Sequence, residues 1–549
     1  MTSHADIVFE SGSVFDGSRL LPASTRVAIS GKTILAVGSD IDAFVGAGTR
    51  RIDLEGGLLL PGFTDAHVHP VEGGLERMRC DLSSASTRDE YLSLIRAYAD
   101  ANPDLPWILG GGWQLAAFPG GVPQASDLDA VVGARPVFLA NRDHHGAWVS
   151  TRALELAGID SSTRDPADGR IERHVDGSPS GVLQEGARLL VSRFIPDDTD
   201  DDNYSALLTA QSYLHSVGVT GWQDAIVGDY GNHSDTGDVY LRAAKNGDLT
   251  ARVVAALWWD RNRDAEQIPE LVARRDELAH ERFAASSIKI MQDGIPENQT
   301  AAMIDPYVVP SGCRCGADGL GSGLSFVDPA VLGDYVAALD ALAFQVHFHA
   351  IGDRAVREAL DAFAEARRRN GPSANRHHIA HVQVVHPHDI ARFAELDVTA
   401  NVQTLWASFE PQMVELNLPV LGAERSSWQY PFADLANAGA SLASGSDWPV
   451  TTPDPWAALH VAVNRTLPPD DADYTPRPFY PSQALSLEQA LASYTSGSAR
   501  INGHDSAGRI AEGFDADLVV VDRDPFAAPT ELISETRTRE TWVRGRRVF

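Results

Sequence analysis

The first sixty residues alternate short apolar runs with turn residues. Ile7-Val8-Phe9, Val14-Phe15, Val27-Ala28-Ile29 and Ile34-Leu35-Ala36-Val37 are punctuated by Asp16-Gly17, Gly31 and Gly38. That texture predicts a small antiparallel β unit. It returns at the far end of the chain, with strands over 517–521 and 541–543 and a turn at Arg544-Gly545-Arg546. Neither stretch is long enough to bury a core by itself. Residues 1–60 and 505–549 are therefore expected to pair in one β-sandwich domain.

The pattern between them changes to strands alternating with amphipathic helices. Val331, Leu332, Tyr335, Val336, Leu339 and Leu342 form one stripe of a helix over 329–343. A second helix spans 353–370, with Asp353 expected as its N-cap, arginines 367–369 in the last turn and Gly371-Pro372 as its stop. Strands are expected at 62–68, 219–224, 252–258, 287–292, 344–349, 377–382, 399–405 and 441–446. Eight such strands with intervening helices predict an α/β fold, a (β/α)8 TIM barrel over 61–504, with its active site at the C-terminal strand ends. The gap between the first two strands is too long for one helix. It predicts a large insertion subdomain over 70–215, whose loops line the active site.

Composition narrows the functional classes. The 549 residues carry 45 basic against 75 acidic side chains, a formal charge of −30. That balance excludes a nucleic-acid binder and a protein of anionic membrane surfaces, and leaves a small-molecule substrate as the expected partner. Three cysteines, Cys80, Cys313 and Cys315, make no disulfide framework. With no apolar leader in the first ten residues and no long apolar run, a cytoplasmic location is expected. Cys313-Arg314-Cys315 is read as a reduced loop dithiol. Lysine is nearly absent: only Lys32, Lys245 and Lys289 occur.

The candidate chemistry sits at the predicted strand ends. In Asp65-Ala66-His67-Val68-His69, residues i and i+2 of a strand face the same way, so His67 and His69 can grip one cation. Lys289 lies in the apolar strand Ser287-Ile288-Lys289-Ile290, where burial disfavours the ammonium. A neutral amine there can take up carbon dioxide and become a bridging carbamate, which arginine cannot do. Val346-His347-Phe348-His349 repeats the histidine spacing; His349, nearer the loop, is the expected ligand, and His347 a deeper hydrogen-bonded residue. His381 and Asp447 close two more strands. Nitrogen and oxygen donors without thiolate suit Zn²⁺ or another first-row divalent ion. Six ligands exceed one tetrahedral zinc and fit two ions.

These segments resemble the amidohydrolase superfamily in its two-metal form with a carboxylated lysine. The likeness extends to the branch called amidohydrolase family 3, which includes YtcJ-like and N-substituted formamide deformylase-like proteins. It is carried by 61–69 (PGFTDAHVH), 289–294 (KIMQDG), 349–355 (HAIGDRA), 445–450 (GSDWPV), 143–150 (DHHGAWVS), 181–185 (GVLQE) and 513–518 (GFDADL). The resemblance implies that His67, His69 and Asp447 hold one ion, His349 and His381 the other, and carboxylated Lys289 bridges them. It further implies that His145 faces the substrate, with His144 a loop residue, and that the protein forms a homodimer. Ser150 departs from the asparagine common at that place in the family.

The expected reaction is hydrolysis of the amide C–N bond of a small molecule, such as an N-substituted formamide. A metal-activated water attacks, Asp447 acts as base and then acid, and His145 or His381 steadies the oxyanion. Two alternatives stand beside it: a deaminase or esterase using the same site, and a non-catalytic regulatory protein on the same fold. Six strand-end aromatics, Trp113, Phe118, Trp148, Trp222, Trp406 and Trp448, favour an apolar substituent, though packing accounts for most of them.

Overall fold

The computed structural model describes residues 4–166, 168–230, 233–308 and 321–549. The Cys313/Cys315 pair lies outside them. Eight parallel strands form the central sheet: Phe63–Val68, Val219–Val227, Arg252–Trp258, Phe283–Met291, Gln345–Ala350, His378–His381, Thr399–Val402 and Leu442–Ser444. They follow one another in chain order around the sheet. The eighth then returns beside the first. Asp447 N donates to the His67 carbonyl at 2.7 Å, and His69 N to the Trp448 carbonyl at 2.8 Å. Gly445 makes that approach possible, because a Cβ there would stand 2.5 Å from the His67 nitrogen.

Several boundaries differ from the sequence pattern for local reasons. The seventh strand stops at Val402, because Thr404–Trp406 turns into a 3-10 helix. The fourth begins earlier, at Phe283, where Ala285 and Ser287 continue the alternation inward. The helix Asp353–Asn370 has Gly352 rather than Asp353 at its N-cap. The Asp353 carboxylate instead accepts from Ile304 N at 2.9 Å, tying a neighbouring loop to the first turn. The helix Pro329–Ala341 is capped by Asp328, whose side chain accepts from Ala330 N.

Both ends of the chain contribute to two further sheets. One is four-stranded, built around Ile7–Glu10. In the other, Leu58–Pro61 pairs antiparallel with Leu518–Val521, which pairs in turn with Thr538–Val543. Phe9, Val27, Ile29, Leu59, Leu518, Val520 and Trp542 fill the space between the sheets, and the Phe9 and Trp542 rings meet edge-on at 5.6 Å.

The segment between the first two barrel strands holds a six-stranded sheet. Its core contains Trp113, Phe118 and Trp148, which pack on one another, while Trp222 lies in the barrel core. Ser150 acts structurally, since its hydroxyl accepts from Ala153 N and caps the helix Thr151–Ala157. The hairpin joining Val137–Asn141 to Gly146–Val149 is tightened by Asn141 Oδ1 accepting from Gly146 N at 2.7 Å. Its loop carries Arg142, Asp143, His144 and His145 to the mouth of the barrel.

Candidate metal centre and active site

A cavity of about 130 Å³ opens at the C-terminal ends of the barrel strands. His67, His69, Lys289, His349, His381 and Asp447 all line it, and so does His145. His67 Nε2 and His69 Nε2 each lie 3.2 Å from Asp447 Oδ1, and Lys289 Nζ lies 3.3 Å from His67 Nε2. His381 Nδ1 is 4.0 Å from Asp447 Oδ2, and its ring centre is 4.7 Å from that of His67 and 4.5 Å from that of His349. His67, His381 and Asp447 bring their donor atoms within 4.8 Å of one another.

Strand register explains the convergence. Lys289 pairs with His347, Met291 with His349, and Ala350 with His381, so adjacent strands deliver their polar side chains at successive depths. His381 and Asp447 then leave the strand geometry altogether, with φ of 77° and 56°. A non-glycine residue held there costs about 1–3 kcal/mol, which the surroundings must offset.

The donor set fits a bound cation. Asp447 Oδ1, His349 Nδ1 and His381 Nδ1 are buried without a hydrogen-bond partner. Buried polar atoms are ordinarily satisfied; the His349 nitrogen stands near Asp293, and the unpartnered Asp447 and His381 atoms belong to residues that line the cavity, where a cation would satisfy them. The electrostatics agree. Burial alone would raise the Asp447 carboxyl, but His67, His69 and His381 pull it well below the usual carboxylate range. Burial pushes His67 down to about 3 and holds His349 and His381 well below the usual imidazole range, so all three are neutral and free to ligate. Burial likewise lowers Lys289 to about 7, despite the opposing pull of Asp447 and Asp224. No carboxylate ion-pairs with Lys289 among the described residues; Asp293, the nearby acid in sequence, accepts instead from the amides of Ala302, Ile351 and Gly352.

A supporting layer surrounds these groups. His347 Nε2 lies 2.8 Å from His67 Nδ1. Asp65 accepts from His67 N at 3.1 Å and from Ser446 N and Oγ at 3.0 and 2.5 Å, so it locks the first strand to the turn that carries Asp447. Asp293 Oδ1 sits 3.2 Å from His349 Nδ1. The Trp406 ring stacks flat on His381, 5.2 Å between centres and 3° apart in plane. Asp65 and Asp293 belong to the sequence motifs, yet nothing in their spacing marks this supporting role. Their only signal in the sequence is proximity, two residues before His67 and four after Lys289.

The inserted sheet supplies the opposite wall. His145 Nδ1 is 2.9 and 3.0 Å from the two oxygens of Glu185, and Thr300 Oγ1 donates to Glu185 at 2.8 Å. Burial works against a charged His145, but Glu185 overrides it and raises the imidazole. The His145 ring lies 5.6 Å from His349. His144, at φ 60°, also lines the cavity but is held by acids. Its two nitrogens lie 2.9 Å from Glu72 and 3.2 Å from Glu76, and His233 reaches Glu72 at 3.3 Å.

Comparison with known proteins places this geometry. The model of the amidohydrolase family matches residues 50–549. The chain is 30% identical to Protein LONG AFTER FAR-RED 3 of Arabidopsis thaliana, over 99% of this chain and 92% of that one. It is 25% identical to an N-substituted formamide deformylase of Arthrobacter pascens, over 99% of this chain and 98% of that one. Among solved structures it resembles an uncharacterised metal-dependent hydrolase from Pyrococcus furiosus, with a TM-score of 0.68 and 25% identity over 94% of this chain and 99% of that one. The barrel, its strand-end donors and these matches together show that the chain belongs to the amidohydrolase family, enzymes that hydrolyse carbon–nitrogen bonds.

Proposed function

We propose that the protein is a metal-dependent hydrolase of a small amide, and that N-substituted formamides are the first class to try. The observation that carries this reading is the convergence of His67, His69, Lys289, His349, His381 and Asp447 on one cavity, with Asp447 Oδ1 and His381 Nδ1 buried and without a hydrogen-bond partner. His67, His69 and Asp447 would hold one divalent ion, most simply Zn²⁺, and His349 and His381 a second, with carboxylated Lys289 between them. Such ions would acidify a water and polarise the amide carbonyl. The lowered Lys289 amine supports the carbamate, because only the neutral form adds carbon dioxide.

The chain's own groups then divide the work. Asp447, ionised among three imidazoles, takes the proton of the attacking water and passes it to the leaving nitrogen. His145, fixed through Nδ1 by Glu185, which favours its protonated form, offers its other nitrogen to the developing oxyanion, and His381 lines the same cavity. Met291, Ile351, Trp406 and Met413 give the cavity an apolar side suited to a hydrocarbon substituent. The formamide class is suggested by the activity for which the Arthrobacter pascens relative is named.

The test is turnover of N-benzylformamide by protein of measured metal content, with formate and benzylamine as products. About two metal equivalents per chain and loss of both metal bridging and activity in Lys289→Ala are expected. Full turnover by metal-free protein would overturn the proposal, and release of ammonia or an alcohol from other substrates would redirect it to a deaminase or esterase.

A further inference from the structure

Arg188 lines the same cavity and is not used by the reaction just described. It ends the short 3-10 turn Gly186–Arg188 that follows the strand bearing Glu185. Its Nε donates to the Glu185 carbonyl oxygen at 3.3 Å and its Nη2 to Tyr230 Oη at 3.2 Å. A guanidinium has five donors in a planar fork, and the Nη1 amino group has no hydrogen-bond partner among the described residues. Among the described residues Arg188 joins no ion pair. The acids near it are committed elsewhere: Glu185 to His145 and Thr300, and Glu72 to His144 and His233. This occurs in a chain with 75 acidic against 45 basic residues, where acid partners are plentiful. The other arginine on the cavity wall, Arg142, differs. It donates to the Val450 carbonyl at 2.9 Å and leans toward Glu410 at 3.8 Å.

The placement is as informative as the missing partner. His349 lies beside His145, His145 is bonded to Glu185, and Arg188 is held on the Glu185 backbone. A substrate whose amide sits among the strand-end histidines would share the cavity with Arg188. A guanidinium on the wall of that cavity, with one amino group unpartnered, matches a carboxylate better than any neutral group.

We infer that Arg188 recognises a carboxylate on the substrate, so that the preferred substrates are N-acyl amino acids rather than neutral amides. The inference rests on the hydrolase reading above and is testable apart from it. The probes are N-formyl-DL-phenylglycine and N-benzylformamide, which differ only by the carboxylate. Hydrolysis of the former consumes one water and gives formate and phenylglycine. Wild-type protein should favour the carboxylate compound by about 10- to 100-fold in kcat/KM, chiefly through KM, as expected for hydrogen bonds to a charged group. Arg188→Met should lose that preference, falling by a similar factor on N-formylphenylglycine and by far less on N-benzylformamide, and Arg188→Lys should restore part of it. Equal rates on both compounds in the wild type, or an equal fall on both in Arg188→Met, would overturn the inference. If neither compound is turned over, the hydrolase reading has failed on its own, and calorimetric binding of the same pair to the metal-loaded protein decides. Tighter binding of the carboxylate compound that Arg188→Met abolishes supports the role of Arg188. Equal binding of the two, or no binding of either, refutes it.

Discussion

The ends of the first and fifth barrel strands carry the same His-x-His spacing and use it differently. At the first, His67 and His69 both reach Asp447 Oδ1 at 3.2 Å. At the fifth, only His349 faces the cavity, while His347 sits deeper, with Nε2 on His67 Nδ1 at 2.8 Å and its ring 4.2 Å from His378. The difference is depth. His69 lies one residue past its strand, where the chain turns toward the cavity, whereas both histidines of the fifth remain within Gln345–Ala350. The two-residue period guarantees a shared face, but the height on that face decides whether an imidazole is available to a cation or supports one that is. A cation on His67 Nε2 would leave the proton on Nδ1, which would then donate to His347 Nε2 and fix the ring, a common arrangement behind metal-bound histidines.

Substitutions can break this asymmetry. The largest effect is expected from His69→Ala and His349→Ala, each of which should remove bound metal and all detectable hydrolysis; a variant that keeps full metal content would disprove the role assigned to that residue. His347→Ala should be milder, about 10- to 100-fold weaker in metal affinity or activity, as for other groups that orient a ligand. Partial recovery in His347→Gln is expected, because an amide can still accept from His67. If His347→Ala and His69→Ala proved equally damaging, the distinction between the two strands would fail.

The inner layer also predicts a pH effect. Burial, followed by their charged neighbours, holds His347 and His378 well below the usual 6.5. The unfolded chain therefore binds more protons than the folded one below pH 6.5, and stability falls as pH drops through that window. Each such histidine contributes a slope of about 1.4 kcal/mol per pH unit. Equilibrium unfolding between pH 6.5 and 5 should show this slope reduced by one proton in His378→Gln; an unchanged slope would mean that His378 is not neutral in the fold. The smallest effect belongs to the inserted sheet. Ser150→Ala should cost about 1 kcal/mol through loss of a helix cap, seen as a lower Tm with unchanged metal content.

The fold class was legible because periodicity reports it directly: an alternation of strands and amphipathic helices between two β-textured ends admits few architectures. The positions that supply the cavity's donors were legible for a related reason. Each lies within a strand, at its end or in the turn that follows, where spacing determines facing. The supporting groups were not. Glu185 meets His145 across 40 positions of sequence, and Asp65 meets Ser446 across 381. No local pattern encodes such pairs. Arg188 was hidden for the opposite reason. Its significance is a missing partner, and a sequence rich in acids gives no sign that one arginine is without one.

The pairing of Leu58–Pro61 with Leu518–Val521 bears on how this enzyme is made. The strand that leads directly into the His67 segment emerges from the ribosome early, and its partner follows roughly 460 residues later. At about 5–20 residues per second, that interval is of the order of half a minute to a minute and a half. Throughout it, the apolar run Leu58-Leu59-Leu60 presents an unpaired edge, a ready template for aggregation. Nascent chains stalled before residue 518 should therefore depend on chaperones, and the cell's translation speed, as much as its metal supply, should set the yield of active protein.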